Sequence, residues 1–113
     1  MAMNLEQDTL GSLHIMRITG RLDSVSAPEL EAAVTTAIDG GARTLVFDFS
    51  QLDYISSAGL RVVLVAGKRL RVEKGKLALA GLKPAVQEVF DMSGFLALFT
   101  HAPTVDDALA KLG

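Results

Sequence analysis

The sequence predicts an α/β fold: one domain, residues 1–113, with a mixed, mostly parallel sheet of four to five strands and about four helices packed on it. Three observations predict it. Runs of β type and segments of helical period alternate along the chain, as strands joined by helical crossovers do. Residues 44–49 (TLVFDF) are β-branched, aromatic and nearly apolar throughout, which suits a central strand covered on both faces. The 113 residues are 50% hydrophobic and 21% charged, the balance of a single domain with a filled core.

Residues 3–10 are weakly patterned and read as an edge strand. Gly11 and Ser12 mark a turn, and 13–19 is a better strand with a polar stop at Gly20, so the two can pair as a hairpin. Ser26 and Glu29 have the spacing of a capping box, and Pro28 is tolerated in a first turn. Leu30, Val34, Ala37 and Ile38 continue an apolar stripe that Gly40 and Gly41 end. After the 44–49 strand a loop, SQLDYIS, is expected. From Ser57 the period becomes helical, with Leu60, Val63, Leu64, Gly67 and Leu70 inward and Arg61, Lys68, Arg69 and Arg71 left for solvent. Gly75 stops this helix, and 76–80 (KLALA) is a strand. Pro84 opens a third helix with Val86, Val89 and Phe90 on one face, closed by Ser93 and Gly94. Residues 97–100 read as a short last strand. Thr104 reads as an N-cap, with Asp106 and Asp107 matched to the dipole of a final helix ending near Leu112. Strands joined by helices should be parallel and adjacent, with right-handed crossovers.

Composition narrows function. The net charge of −2 offers no basic excess for nucleic acid or an anionic membrane. There is no cysteine, so disulfides and thiolate ligands are excluded. The opening residues lack the basic and apolar regions of a secretory leader, and no apolar run reaches the roughly 20 residues that span a bilayer. A cytoplasmic location and no membrane insertion are expected.

One stretch carries more information than the rest: DFSQLDYISSAGLRVVL, 48–64. A buried strand leads through a short loop to a helix opened by Ser56, Ser57, Ala58 and Gly59. Open α/β sheets place ligands and chemistry at such a junction. A serine in the first turn can cap the helix, and a phosphate there would add about −1.5 to −2 charges at pH 7 without opposing the dipole. Gly59 costs about 0.5–1 kcal/mol relative to alanine at a helical position, so either a partner or a crowded core contact needs its lack of a side chain.

DYISSAGLR at 53–61 resembles the signature of STAS-domain anti-sigma-factor antagonists. GRLDSVSAPEL at 20–30 resembles the same family's G-x-L-D loop and first helix, and FDMSGF at 90–95 its third helix and following turn. The matches keep the family's order and spacing over essentially the whole chain. The resemblance implies a non-enzymatic partner-switching protein without a cofactor. Unmodified, it binds a serine-kinase-type anti-sigma factor and so frees a sigma factor. The kinase phosphorylates a serine at the start of the second helix and breaks the complex, and a serine phosphatase restores it. Carried across, the target is Ser57. The family's Asp before the target is Ser56 here, and its Ser or Thr after the target is Ala58. Asp23 matches the acidic residue of the G-x-L-D loop, which the resemblance places beside Ser57. The partner surface so implied is Asp23, Ser24, Ser56, Ala58, Gly59, Leu60 and Arg61. Read on its own, Asp23 is instead a turn or Asx-type cap.

The remaining candidates point elsewhere. His14 and His101 have no carboxylate at ligand spacing, whereas a metal needs three or four ligands. Ser57 lacks the G-x-S-x-G elbow of common hydrolases, and no glycine-rich phosphate loop with lysine is present. Asp106 and Asp107 point apart on a helix. Met16, Met92 and Phe90 read as core. The basic second helix reads as a solvated face that can help dock an acidic partner. The competing reading is a constitutive STAS subunit of a membrane-lipid ABC transport complex, bracing its ATPase, with the serine structural. A monomer or weak dimer is expected.

Overall fold

The structure is a computed structural model, and residues 3–113 are described. The chain opens with a hairpin, β1 (Asn4–Leu10) and β2 (Leu13–Leu22). Helix α1 (Ala27–Asp39) leads to β3 (Thr44–Asp48) and a short β4 (Leu52–Ile55). Helix α2 (Ser57–Val72), β5 (Lys76–Ala80) and α3 (Pro84–Met92) follow. A 3-10 turn (Leu96–Leu98), β6 (Thr100–Ala102) and α4 (Val105–Leu112) close the chain. The strand order is β1-β2-β3-β5-β6, with β4 pairing β2 off this path. Only the β1–β2 pair is antiparallel. The connections through α1 and α3 join neighbouring strands, and β3 and β5 pair across the β4–α2 segment.

The period-2 alternation of the central strands divides the core between two faces. Leu45, Phe47 and Leu79 pack with the inner faces of α1, α2 and α3, together with Leu30, Val63 and Phe90. Val46, Ala78 and Ala80 point the other way, onto Ala108 of α4. The buried residues of that second face are alanines and one valine, flanked by the half-buried Leu13, Ile15 and Leu109. The aromatic residues that the chain does have are concentrated on the first face. Phe47 stacks on Phe49 at 5.7 Å, Phe49 lies 6.3 Å from Phe90, and Phe90 meets Phe99 edge-on at 6.0 Å.

Several sequence expectations need correction. β2 does not stop at Gly20. It continues to Leu22: pairing with β3 ends at Arg17–Asp48, Gly20 takes a φ of +96°, and pairing with β4 starts at Gly20. The strand thereby leaves β3 and pairs with β4, which occupies part of the expected 50–56 loop and brings the sheet to six strands. Residues 97–100 are not the last strand. The 3-10 turn takes 96–98, and the strand is Thr100–Ala102. No capping box forms at Ser26, whose side chain makes no cap bond to α1. The left-handed residue after α2 is Lys74 (φ 62°), whereas Gly75 is needed for space, since a Cβ there would strike the Arg43 carbonyl. Met92 is not core but 80% exposed, at the end of α3.

Asp48, at the end of β3, is the buried carboxylate of the sheet. Arg17 Nε donates to its Oδ2 at 3.1 Å across the β2–β3 pair, and the Ser50 N–H donates to Oδ1 at 3.0 Å. Burial pushes this carboxyl up, but the Ser50 and Arg17 hydrogen bonds outweigh it and hold it below the ordinary carboxylate value. A carboxyl depressed on folding stabilises the fold above its unfolded value, about 3.9, and loses that contribution as pH falls through its folded value. Asp48→Asn is therefore expected to cost about 1–3 kcal/mol at pH 7. It should also flatten the loss of stability below about pH 4 that wild type shows in urea unfolding.

Candidate functional site

The ends of β2 and β4 and the start of α2 meet at Leu22. Its carbonyl accepts from the Ser56 N–H at 2.9 Å, and Leu22 itself pairs with Ile55. Ser56 is extended (φ −92°, ψ 175°), and its Oγ accepts from the Gly59 N–H at 3.3 Å. This is an N-cap bond that satisfies one of the orphan donors of the first turn. Ser57 is the first residue of α2. It is exposed, and its hydroxyl makes no hydrogen bond among the described residues. The two adjacent serines thus differ physically: one hydroxyl is committed to the helix and the other is free.

The first turn of α2 holds no acidic residue, so the positive end of its dipole is uncompensated there. Asp53 is turned to Lys83, 2.7 Å away. Gly59 is buried against Leu22: a Cβ would lie 2.7 Å from the Leu22 Cγ and 2.9 Å from its carbonyl oxygen. The crowded core contact is therefore the reason for this glycine. Leu60 is only 6% exposed. Gly59 and Leu60 are thus corrected from partner-facing residues to residues of the core, because both are packed inward.

The loop after β2 is held by its own side chains. Asp23 Oδ1 accepts from the N–H groups of Val25 (3.0 Å) and Ser26 (3.2 Å). Ser26 Oγ accepts from the Asp23 N–H at 3.0 Å and donates to the Arg21 carbonyl at 2.8 Å. Ser26 Oγ thus accepts from Asp23 and not from the first turn of α1, so it does not cap the helix. Asp23 thus forms the Asx-type turn. The backbone hydrogen bond from Ser26 is the main reason its carboxyl lies below the ordinary value, with Val25 and Arg21 adding to the effect. No hydrogen bond joins Asp23 to Ser57 among the described residues. Asp23 directly follows Leu22, whose carbonyl accepts from the Ser56 N–H.

Ser24, Ala58 and Arg61 do come together, lining a shallow cleft of about 140 Å³ between α2 and the start of α1, with Pro28 and Glu31. Sequence reasoning missed three neighbours of this site. Val25 is 87% exposed between two serines, and an apolar residue at a turn tip was the available signal. The Arg21 guanidinium lies 4.2 Å over the Tyr54 ring, a contact that depends on β4 and could not be read locally. His14 and His101, by contrast, lie on β2 and β6, which β3 and β5 separate in the sheet.

Gly59→Ala should destabilise the fold by about 1–3 kcal/mol through overpacking. Ser56→Ala should cost about 0.5–2 kcal/mol through the lost cap. Ser57→Ala should change the urea midpoint little, because its hydroxyl bonds to nothing. Urea denaturation of the three variants checks this order.

The comparisons with known proteins agree with this geometry. The family model for the STAS domain matches residues 4–108. BtrV of Bordetella bronchiseptica, provisionally described as an anti-sigma factor antagonist, is 45% identical over 108 residues, covering 96% of this chain and 93% of BtrV. The anti-sigma-B factor antagonist of Staphylococcus aureus is 26% identical over 94 residues, covering 83% and 87%. Among solved structures, the anti-sigma factor antagonist SpoIIAA in its unphosphorylated form aligns with a TM-score of 0.83 at 28% identity, covering 98% and 96%. SpoIIAA of Bacillus in the phosphorylated form aligns with a TM-score of 0.77 at 23% identity, covering 97% and 100%, and so shares the fold. With its sheet order, its Leu22 junction and these matches together, the chain belongs to the STAS domain family.

Proposed function

We propose that this protein is an anti-sigma-factor antagonist, a non-enzymatic binding protein whose partner is an anti-sigma factor of serine-kinase type and whose switch is phosphorylation of Ser57. The observation that carries the reading is the free, exposed Ser57 hydroxyl at the start of α2, beside a serine whose hydroxyl is already used. The family membership and the names of the relatives support it.

The chemistry follows from position. The kinase transfers the terminal phosphoryl group of a nucleoside triphosphate to Ser57 Oγ, and the hydroxyl proton leaves. A serine phosphatase hydrolyses the ester and returns the hydroxyl. The phosphate brings about −1.5 to −2 charges to a helix start that tolerates them, so the fold persists and the surface changes. Ser56 in place of an Asp is compatible with this. Both residue types are good N-caps, and the cap bond to Gly59 is made, so the substitution removes a charge and keeps the geometry. Ala58 and Arg61 line the cleft beside the site and complete the partner surface with Asp23 and Ser24.

Among the described residues no helix is long and apolar enough to cross a membrane. The alternative, a constitutive subunit that braces a transport ATPase, makes Ser57 structural, whereas its hydroxyl contacts nothing here. The experiment is calorimetric titration of the purified chain into its cognate kinase-type anti-sigma factor. Ser57→Asp should bind at least about tenfold more weakly than wild type. Ser57→Ala should bind like wild type but resist release on addition of nucleoside triphosphate. Equal affinity of wild type and Ser57→Asp would contradict the switch.

A further inference from the structure

The positive charge of this chain is unevenly used. Of its 11 Lys and Arg residues, Arg17, Arg21, Arg43, Arg69 and Lys83 pair with carboxylates. Lys76 and Lys111 donate to backbone carbonyls. Arg61, Lys68, Arg71 and Lys74 are exposed and have no such partner among the described residues. All four lie on α2 or just past its end. Helix α2 carries no carboxylate over Ser57–Val72, although the chain as a whole is at −2. Every other helix carries acidic residues.

Spacing turns these charges into a line. Ser57, Arg61, Leu64, Lys68 and Arg71 follow one another at steps of four, three, four and three, so they share one face of the helix. At 1.5 Å per residue the line runs about 21 Å from the switch serine to Arg71. Leu64 was expected in the core but lies at its rim, half-buried. Beside the line, between α2 and the 3-10 turn, runs a groove of about 320 Å³. Its floor is Leu64, Leu77 and Phe99, its lip is Leu98, and Lys68 and Arg71 stand on its edge. Leu98 is 62% exposed.

We infer that this stripe and groove are a docking surface for an acidic, amphipathic helix of the partner protein. Its carboxylates would lie along Arg61, Lys68 and Arg71, and its apolar residues would fill the groove. An apolar floor with cations on one edge selects that chemistry through charge complementarity. A flat anionic membrane is disfavoured, because the groove is concave and the rest of the chain is net acidic. The inference rests on the proposed partner-binding role, and it extends that role. A phosphate on Ser57 stands at the head of the same stripe, so it repels the acidic helix and lowers the positive potential that draws it in.

Two measurements test this on the full-length chain. Leu98 is replaced by the photo-crosslinker p-benzoylphenylalanine, and the protein is irradiated in its own cells. The expected adduct is a partner peptide that alternates carboxylates and apolar residues at helical spacing. An adduct with lipid, with a second copy of this chain or with a neutral or basic peptide overturns the inference, as does no adduct. The Lys68→Glu/Arg71→Glu double variant is then titrated against the cross-linked protein. Binding should weaken about tenfold with a shallower salt dependence, while Lys111→Glu binds like wild type. Unchanged affinity of the double variant overturns the inference. Weakened binding of the double variant, with Ser57→Asp binding normally, would keep the docking surface and remove the switch.

Discussion

The close approach of β2 to the first turn of α2 is the constraint on which the functional end of this domain depends. Leu22 closes both sides of it: its carbonyl accepts from the Ser56 N–H, and its side chain fills the space that a Cβ on Gly59 would need. Three features follow. β2 pairs with β3 only as far as Arg17 and runs on to pair with β4 from Gly20, so the sheet gains β4. Ser56 is fixed as an extended cap, so Ser57 becomes the first helical residue with its hydroxyl in solvent. The chain beyond Leu22 must turn at once, and Asp23 and Ser26 hold that turn with reciprocal hydrogen bonds. A rigid junction under an exposed serine suits a surface switch. A phosphate there would alter the surface charge without a change in the packing below.

Electrostatics gives the switch its reach. Helix α2 carries four cations and no carboxylate, and among the described residues only Arg69 of the four pairs with a carboxylate, Asp39 at 2.8 Å. Screening limits an isolated exposed charge to about 8–10 Å at ordinary ionic strength. A phosphate on Ser57 therefore acts mainly on Arg61, one turn away, while Lys68 and Arg71 continue to attract. On this view release comes from the loss of contacts at the serine together with a local reversal of potential, and the far end of the stripe gives the unmodified state its affinity.

Much of the architecture was legible in the sequence because its signals are periodic and local. The 44–49 run, the α1 stripe from Leu30 to Ile38 and the Thr104 cap each depend on neighbours within a few residues, and Thr104 does accept from the Asp107 N–H. What was not legible depends on distant partners. β4 reads as a loop because Asp53 and Tyr54 are both exposed and its pairing with β2 skips Asp53. Ser26 has the spacing of a capping box, but its Oγ accepts from the Asp23 N–H, three residues upstream, and donates to the Arg21 carbonyl. Residues 96–100 are an apolar run, and local pattern does not separate a 3-10 turn from a strand there. At the site, Ser57 and the oddity of Gly59 were both visible. Only the fold shows that Gly59 serves Leu22 and not a partner, and that Asp23 spends its carboxylate on its own turn.

The most direct test of the central claim is peptide mass spectrometry of the chain isolated from its native cells in growth and under stress. The account predicts one phosphate, localised to Ser57 and not to the capping Ser56, with an occupancy that changes between conditions. A Ser57 that stays unmodified in every condition, or a phosphate found on Ser56 instead, would contradict it.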